Sequence, residues 1–286
     1  HCQMNYIISS DNHRGIITVK VKRLFWGILV LSAVVGLAAC GQSAAPGYQA
    51  KKTIQTGKLR ATTFALVSSA ENSSLNYRQQ YRYIEDIGDG RGYTAGIIGF
   101  TSGTGDLRTV IRRYVRLKPH NNRLRKYLPA LRRVDGTAAH RGLGQHFVSD
   151  WHHAAKDIQM RHAQDAVVDQ MYLLPVLRAA QKDDLSPLGQ YIYYDAMVVH
   201  GPGQDASSFG GIRRRALKLA RSPKQGGNQA TYLKAFLKVR TRVMQQEKAH
   251  KDLSRLSVQR QFINDKNYRL ARPLHWKMYG DSYQLK

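Results

Sequence analysis

The segment "PLGQYIYYDAMVVH", Pro187 to His200, constrains this chain more than any other. Ser186-Pro187 reads as an N-cap followed by a first-turn proline, and Leu188, Tyr191, Ile192, Val198 and Val199 then fall on one helical face. Asp195 lies inside that face. A second helix-periodic segment, Gln229 to His250, carries Tyr232, Phe236, Val239 and Val243 on one side, and that side includes Arg240. A charge turned into a core without a partner is strongly unfavourable, so the inward carboxylate and the inward guanidinium are expected to pair. The alternative is that both lie at the edge of their stripes and reach water. Arg255, in "KDLSRLSVQRQF", is a third candidate for the same cluster.

The remaining periodicity is also mostly helical. "KLRATTFALVSSAE" places Leu59, Thr63, Leu66, Val67 and Ala70 on one face, with Glu71 at its C-terminal end. Leu107, Val110, Ile111, Tyr114 and Leu117 repeat at helical spacing after Asp106. Further helices are expected in "NRLRKYLPALRRV", in Ser149–Lys182, in "FGGIRRRALKLARS" and in the Gln229–His250 segment, with breaks at Pro129 and Pro175. Only "GYTAGIIGFTSGTGD" is rich in β-branched and aromatic residues between glycines, which predicts a short hairpin or small sheet. The expected class is mainly α with a small β element.

The first forty residues stand outside that pattern. Lys20, Lys22 and Arg23 precede sixteen residues, Leu24 to Ala39, that are almost wholly apolar, and Cys40 follows. The run is short for a membrane span and has the basic-apolar-small order of a signal peptide. "LAAC" resembles a bacterial lipobox, which makes Cys40 the expected lipidation site; the other reading is ordinary cleavage near Ala39. Residues 1–40 are thus read as a leader, 41–57 as a Gly/Ser/Ala/Pro-containing tether and 58–286 as the functional domain. Cys2 is the other cysteine and lies in the leader, so the mature chain is expected to rely on packing and not on disulfides. The chain is expected outside the cytoplasm, secreted or held by lipid on a bacterial envelope.

Formal charge is +26. The leader contributes Arg14, Lys20, Lys22, Arg23 and Asp11, a net +3, so the mature part keeps 26 − 3 = +23. Such an excess attracts phosphates and acidic surfaces. No specific nucleic-acid motif accompanies it, and the basic helix "IRRRALKLAR" is as well explained as a solvated face. "GDGRG" and "GTGD" lack the helix and lysine of a phosphate loop, "DIGDG" lacks the acids of a calcium loop, and His152 and His153 point to different helix faces.

Two carboxylates remain in unusual settings. Glu71 lies among Ser, Ala and Asn at a helix end, and Asp89 lies between Gly88 and Gly90. Cleavage of a sugar bond asks for one carboxylic acid at the leaving oxygen and one carboxylate on the other face. Glu71, enclosed by small side chains, suits the acid; Asp89, on a sharply turning loop, suits the base; Thr94 is placed to hold the attacking water. The plain readings of the same residues are a helix-end Glu and a turn Asp.

"SSAENSS", "YRYIEDIGDGRGYTAGIIGFTSGTGD", "KYLPAL", "YYDAMVVHGPG", "SFGGIR" and "WKMYGDSY" together resemble the chitosanases of glycoside hydrolase family 46, in order from about Leu66 to Gly280. The resemblance implies a two-lobed, mainly helical, lysozyme-like fold with a substrate cleft between the lobes, and endo-acting, inverting hydrolysis of β-1,4-glucosamine bonds. It implies Glu71 as general acid, Asp89 as general base, Thr94 beside the nucleophilic water, and Asp195, Arg240 and Arg255 as a buried ionic network. Asp106 matches an acid that recognises a glucosamine amine, its other reading being the cap of the helix that follows. Ser73, Tyr83, Arg91, Tyr172, His200 and Glu247 match positions that line the cleft. No metal or organic cofactor is implied, and the expected state is a monomer acting on chitosan or glucosamine oligomers. Lys251 departs from the family by replacing an acid, which leaves open partly acetylated chitosan or peptidoglycan as substrate. A catalytically idle basic envelope-binding protein is the reading from another class.

Overall fold

The computed structural model describes residues 52–246 and 252–286. Ten α-helices are seen there: α1 (Gly57–Asn72), α2 (Asp106–Leu117), α3 (Leu128–Val134), α4 (Phe147–Ala154), α5 (Ile158–Val168), α6 (Leu174–Asp183), α7 (Pro187–His200), α8 (Phe209–Leu219), α9 (Gln229–Gln246) and α10 (Ser254–Asn264). Pro129 and Pro175 start helices, in the first turns of α3 and α6, where a missing amide hydrogen costs nothing. No helix of the described residues is long and apolar enough to cross a membrane.

α7 is the centre of the core. Every residue from Leu188 to Val199 is buried, so the helix is enclosed on all sides and not amphipathic. α1 is similar, buried from Thr62 to Ala70. Its approach is already docked: Ile54 is fully buried and its amide donates to Gln190 Oε1 on α7 at 3.0 Å, so the segment expected to be tether up to Gly57 packs with the body from Ile54 onward. α9 packs between α8 and α10 and carries Arg240 inward.

Two small sheets complete the fold. Strands β1 (Ile84–Asp86), β2 (Tyr93–Ala95) and β3 (Phe100–Thr101) form an antiparallel sheet in that order. The register pairs Glu85 with Thr94 and Thr94 with Thr101, so these three share one face, while Ile84, Ala95 and Phe100 share the other, which joins the hydrophobic core. β4 (Leu274–Met278) and β5 (Asp281–Leu285) form a hairpin that the periodicity argument did not anticipate. Its signal was present: "LHWKM" alternates in burial, and the two-residue turn puts Tyr279 and Gly280 at φ 52° and 90°, as a tight hairpin requires. Trp276 of β4 anchors the hairpin on α1 by donating from Nε1 to Ser69 Oγ at 3.1 Å.

The basic helix α8 is only partly a solvated face. Arg213 turns inward onto Asp183, donating from Nε at 2.7 Å and from Nη2 at 2.6 Å, and the Tyr193 hydroxyl adds a third bond to that carboxylate at 2.6 Å. Arg214 and Arg215 donate to the backbone carbonyls of Gln204 and Ala206 in the loop before the helix.

Candidate active site

Glu71 occupies the last turn of α1, with its side chain 11% exposed. Beyond the small side chains around it, Glu71 has a charged partner: its Oε1 accepts from Arg255 Nη2. Arg255, from α10, reaches past Glu71 and places Nε 3.0 Å from Asp195 Oδ1. Asp195 Oδ2 lies 2.7 Å from Arg240 Nη1 and accepts from Gln259 Nε2 at 2.7 Å. Arg240 in turn donates from Nε to His200 Nε2 at 3.1 Å. Asp195 and Arg240 are fully buried and Arg255 is 3% exposed, so the inward pairing expected from helical faces is what the structure contains. Burial alone would push the Asp195 carboxyl up, but the Arg255 and Arg240 guanidiniums hold it below the usual carboxylate range.

Positive and negative groups alternate along this chain of contacts. Three helices supply it, so the orientation of Glu71 is determined by the packing of α7, α9 and α10 against α1. Gln259 was missed in the sequence although helical spacing exposes it: four residues after Arg255 on α10, it faces the same way and links Arg240 to Asp195. Ser73, in the left-handed conformation that ends α1, is exposed and hydrogen-bonds the Tyr283 hydroxyl of β5.

A second set of residues gathers on the three-stranded sheet. A 3-10 segment, Tyr77–Arg82, carries the chain from α1 to β1, and the β1–β2 loop then presents Asp89. Gly88 and Gly90 adopt φ +70° and +83°, and a Cβ at either would meet nothing within 4 Å. Left-handed backbone, not crowding, is therefore what requires glycine on both sides of Asp89. The Asp89 carboxylate is engaged by Arg91: Oδ1 accepts its amide at 3.0 Å, and Oδ2 accepts Nε at 2.9 Å and Nη2. Three of roughly four acceptor positions of the carboxylate are filled, leaving one on Oδ1.

Thr94, on β2, is 7% exposed, and its Oγ1 is buried without a protein hydrogen-bond partner. A buried hydroxyl in that condition fits a place reserved for water. Thr94→Val, equal in shape, is expected to lower turnover on the order of 10²-fold through a misplaced water while leaving the melting temperature unchanged or higher. Steady-state kinetics beside calorimetry on the same preparation check both halves.

Tyr83, Tyr172 and Asp106 are the other residues expected at this part of the site. The Tyr83 hydroxyl bonds Glu85 Oε2 at 3.2 Å, and burial, reinforced by the Glu85 and Asp89 charges, pushes it up to about 12. Tyr172 belongs to a single π turn, Asp169–Leu173, inserted between α5 and α6, a device that re-aims a side chain within a helix. Burial pushes its hydroxyl up to about 12; the Asp106 charge adds to this and the Arg91 charge opposes it.

Asp106 is the first residue of α2, not its cap; Gly105 holds that position. Its Oδ1 accepts from Thr101 N at 2.7 Å, Thr104 Oγ1 at 2.9 Å and Leu107 N at 2.8 Å. All three bonds fall on one oxygen, so a single carboxylate both ties the β3–α2 loop and keeps Oδ2 for another partner. Burial nevertheless raises its carboxyl above the ordinary value, outweighing those bonds. Glu247, Lys251 and Cys40 lie outside the described residues. No group of three or more metal-ligating side chains occurs among the described residues.

A mainly helical body that holds a helix-end glutamate on a buried ion network, and an aspartate on a glycine loop of a small sheet, has the lysozyme-like architecture and the two separately held carboxylates expected of a glycoside hydrolase. The sequence pattern of Glycosyl hydrolase family 46 matches residues 65–274. The chitosanase of Streptomyces sp. (strain N174) is 50% identical over 254 residues, 88% of this chain and 91% of that protein. That of Nocardioides sp. (strain N106) is 56% identical over 221 residues, 77% of this chain and 79% of that protein. Among solved structures, the family 46 chitosanase of Gynuella sunshinyii bound to chitotetraose is 31% identical with a TM-score of 0.71, covering 81% of this chain and 98% of that one. The chitosanase OU01, co-crystallised with substrate, is 47% identical with a TM-score of 0.76, covering 83% and 100%. The chain belongs to glycosyl hydrolase family 46.

Proposed function

We propose that this enzyme hydrolyses chitosan internally, by a single displacement that inverts the anomeric carbon. The observation that carries the reading is the contrast between its two carboxylates. Glu71 meets one guanidinium at one oxygen, with no bond to Oε2 among the described residues, whereas Asp89 is gripped on both oxygens by Arg91. Glu71 Oε2 gives its proton to the departing glycosidic oxygen, and the carboxylate that results is stabilised by Arg255. Asp89 Oδ1 takes a proton from a water that Thr94 Oγ1 orients, and the water oxygen attacks the anomeric carbon from the opposite face. Asp195, Arg240 and Gln259 act through Arg255 as positioning residues. Ser73, Tyr83, Tyr172, Asp106, His200 and Glu247 are proposed to line the sugar-binding cleft, with Asp106 Oδ2 meeting a glucosamine ammonium. The names of the relatives and the sugars bound in their structures support the substrate class.

Proton NMR of early products tests the chemistry. Inversion predicts newly formed reducing ends in the α configuration from a β bond, and initial β product would overturn the single displacement. A fall in polymer viscosity ahead of monomer release is the companion result for internal cleavage.

Lipidation at Cys40 and placement outside the cytoplasm belong to the same proposal; mass spectrometry of the mature N-terminus checks them. The charge of +23 on the mature part has a kinetic consequence. Chitosan is a polycation below neutral pH, so the body repels it while the acids Glu71, Glu85, Asp86, Asp89, Asp106 and Glu247 attract it locally. Salt that shortens the Debye length to ~8 Å screens the long-range repulsion first. Activity is expected to rise from low to moderate ionic strength; a steep fall over that range counts against this balance.

A further inference from the structure

Three large apolar side chains are conspicuously exposed among the described residues: Leu117 at 44%, Ile158 at 51% and Leu219 at 55%. Two of them flank the contact that joins α2 to α5. The Tyr114 hydroxyl and Lys118 Nζ on α2 reach Asp157 Oδ2 at 3.0 and 2.6 Å, and Asp157 caps α5 through the Gln159 amide. Leu117 precedes Lys118 and Ile158 follows Asp157, so both exposed aliphatic side chains stand next to the residues of this contact. Leu117 continues the stripe of Leu107, Val110 and Tyr114 beyond the point where the core covers it.

Cations flank this contact. Arg113 lies one helical turn before Leu117 and Arg116 beside it; Arg161 lies one turn after Ile158 and donates from Nη2 to the Lys156 carbonyl at 3.3 Å, and exposed Lys156 stands just ahead of the helix. The acid of this end, Asp157, is already shared by Lys118, Tyr114 and an amide. From Leu107 to Val134 the sequence has ten Lys and Arg residues and no Asp or Glu.

We infer that this end of the molecule docks on an anionic lipid bilayer, with Leu117 and Ile158 entering the interface and Arg113, Arg116, Lys156 and Arg161 meeting the phosphate headgroups. Aliphatic tips ringed by cations match a surface that is apolar within and negative at its edge. A hydrophilic polyanion, duplex nucleic acid included, would meet the cations and have no use for the aliphatic tips, and a single strand would ask for aromatic stacking that they cannot supply. The face explains part of a charge that is a hindrance toward chitosan. The inference is independent of the hydrolytic reading, and a lipid at Cys40 would act in the same direction without being required.

Hydrogen exchange of the full chain tests it, with vesicles of phosphatidylcholine alone and vesicles containing phosphatidylglycerol. The apolar leader can bring the chain to either vesicle, so local protection is the readout. Slower exchange is expected at residues 113–118 and 156–162 on anionic vesicles and not on neutral ones, and it should diminish at high salt. Arg113→Gln with Arg116→Gln should weaken anionic docking about 25-fold, at about fivefold per cation near such a surface. Leu117→Ser with Ile158→Ser should remove the local protection. Both double variants should cleave soluble chitosan as the parent does. Equal protection on both vesicles, none at either segment, or no change in the variants overturns the assignment; so does displacement of the vesicles by duplex DNA at equal phosphate. Failure of the parent to cleave chitosan would bear on the proposed reaction and leave this result unaffected.

Discussion

Glu71→Gln should lower the release of reducing ends from chitosan by about 10³-fold while a glucosamine oligomer still binds. The amide oxygen can go on accepting from Arg255, so the position and contacts of the side chain are kept and only the transferable proton is lost. Glu71→Ala is the informative contrast. It removes an acceptor from Arg255, whose side chain is only 4% exposed, and leaves that guanidinium to Asp195. The alanine variant should therefore lose both turnover and some stability, the glutamine variant turnover alone. Calorimetric titration with a glucosamine oligomer, beside a reducing-sugar assay, separates the two effects. Near-parental turnover in the glutamine variant would remove Glu71 from the role of acid.

The second large effect is structural in origin and catalytic in consequence. Asp195→Ala leaves Arg240 and Arg255 facing one another in a fully enclosed site with no carboxylate between them. Breaking one side of such a network costs about 3–5 kcal/mol. For a domain of this size that corresponds to a melting temperature lower by roughly 10 °C. Turnover should fall as well, because Arg255 loses the group that aims it at Glu71. Asp195→Asn retains the shape and the bond from Gln259 while deleting the charge, so it tests whether charge or packing matters. The acid limb adds an independent measurement. The Asp195 carboxyl is held below the usual range, so its contribution is fully present above the unfolded value and is lost as pH falls through the folded one. The stability gap between the parent and the asparagine variant should therefore narrow toward acid pH. A gap that widens toward acid would place the stabilising charge elsewhere.

The two assignments differ in how much of them was legible. Asp195 and Arg240 were readable because an α-helix repeats every 3.6 residues, so a polar residue inside an apolar stripe announces that it faces inward. Gln259 could have been read by the same rule from its spacing to Arg255. The contact between Arg255 and Glu71 could not, since 184 residues separate them and no local pattern records which helix end meets which guanidinium. Asp89 was recognisable as a loop residue between glycines, but its capture by Arg91 depends on a loop conformation that composition does not specify. Asp106 had two plausible duties in the sequence, and only the structure shows that its bonds to Thr101, Thr104 and Leu107 all fall on one oxygen. The hairpin β4–β5 was missed because a five-residue alternating run is weak beside the long helical periodicities around it.

By itself the sequence determined the helical class, the inward direction of Asp195 and Arg240, the glycine-flanked turn at Asp89 and the large positive charge. These follow from local rules: backbone conformational preference, side-chain periodicity and composition. Which charges meet was decided by the tertiary structure alone, as was the placing of the Asp106 bonds on one oxygen and the exposure of Leu117 and Ile158 beside the contact that joins α2 to α5. Such outcomes depend on how helices distant in sequence pack to bury their apolar faces, and that packing is a property of the whole chain at once.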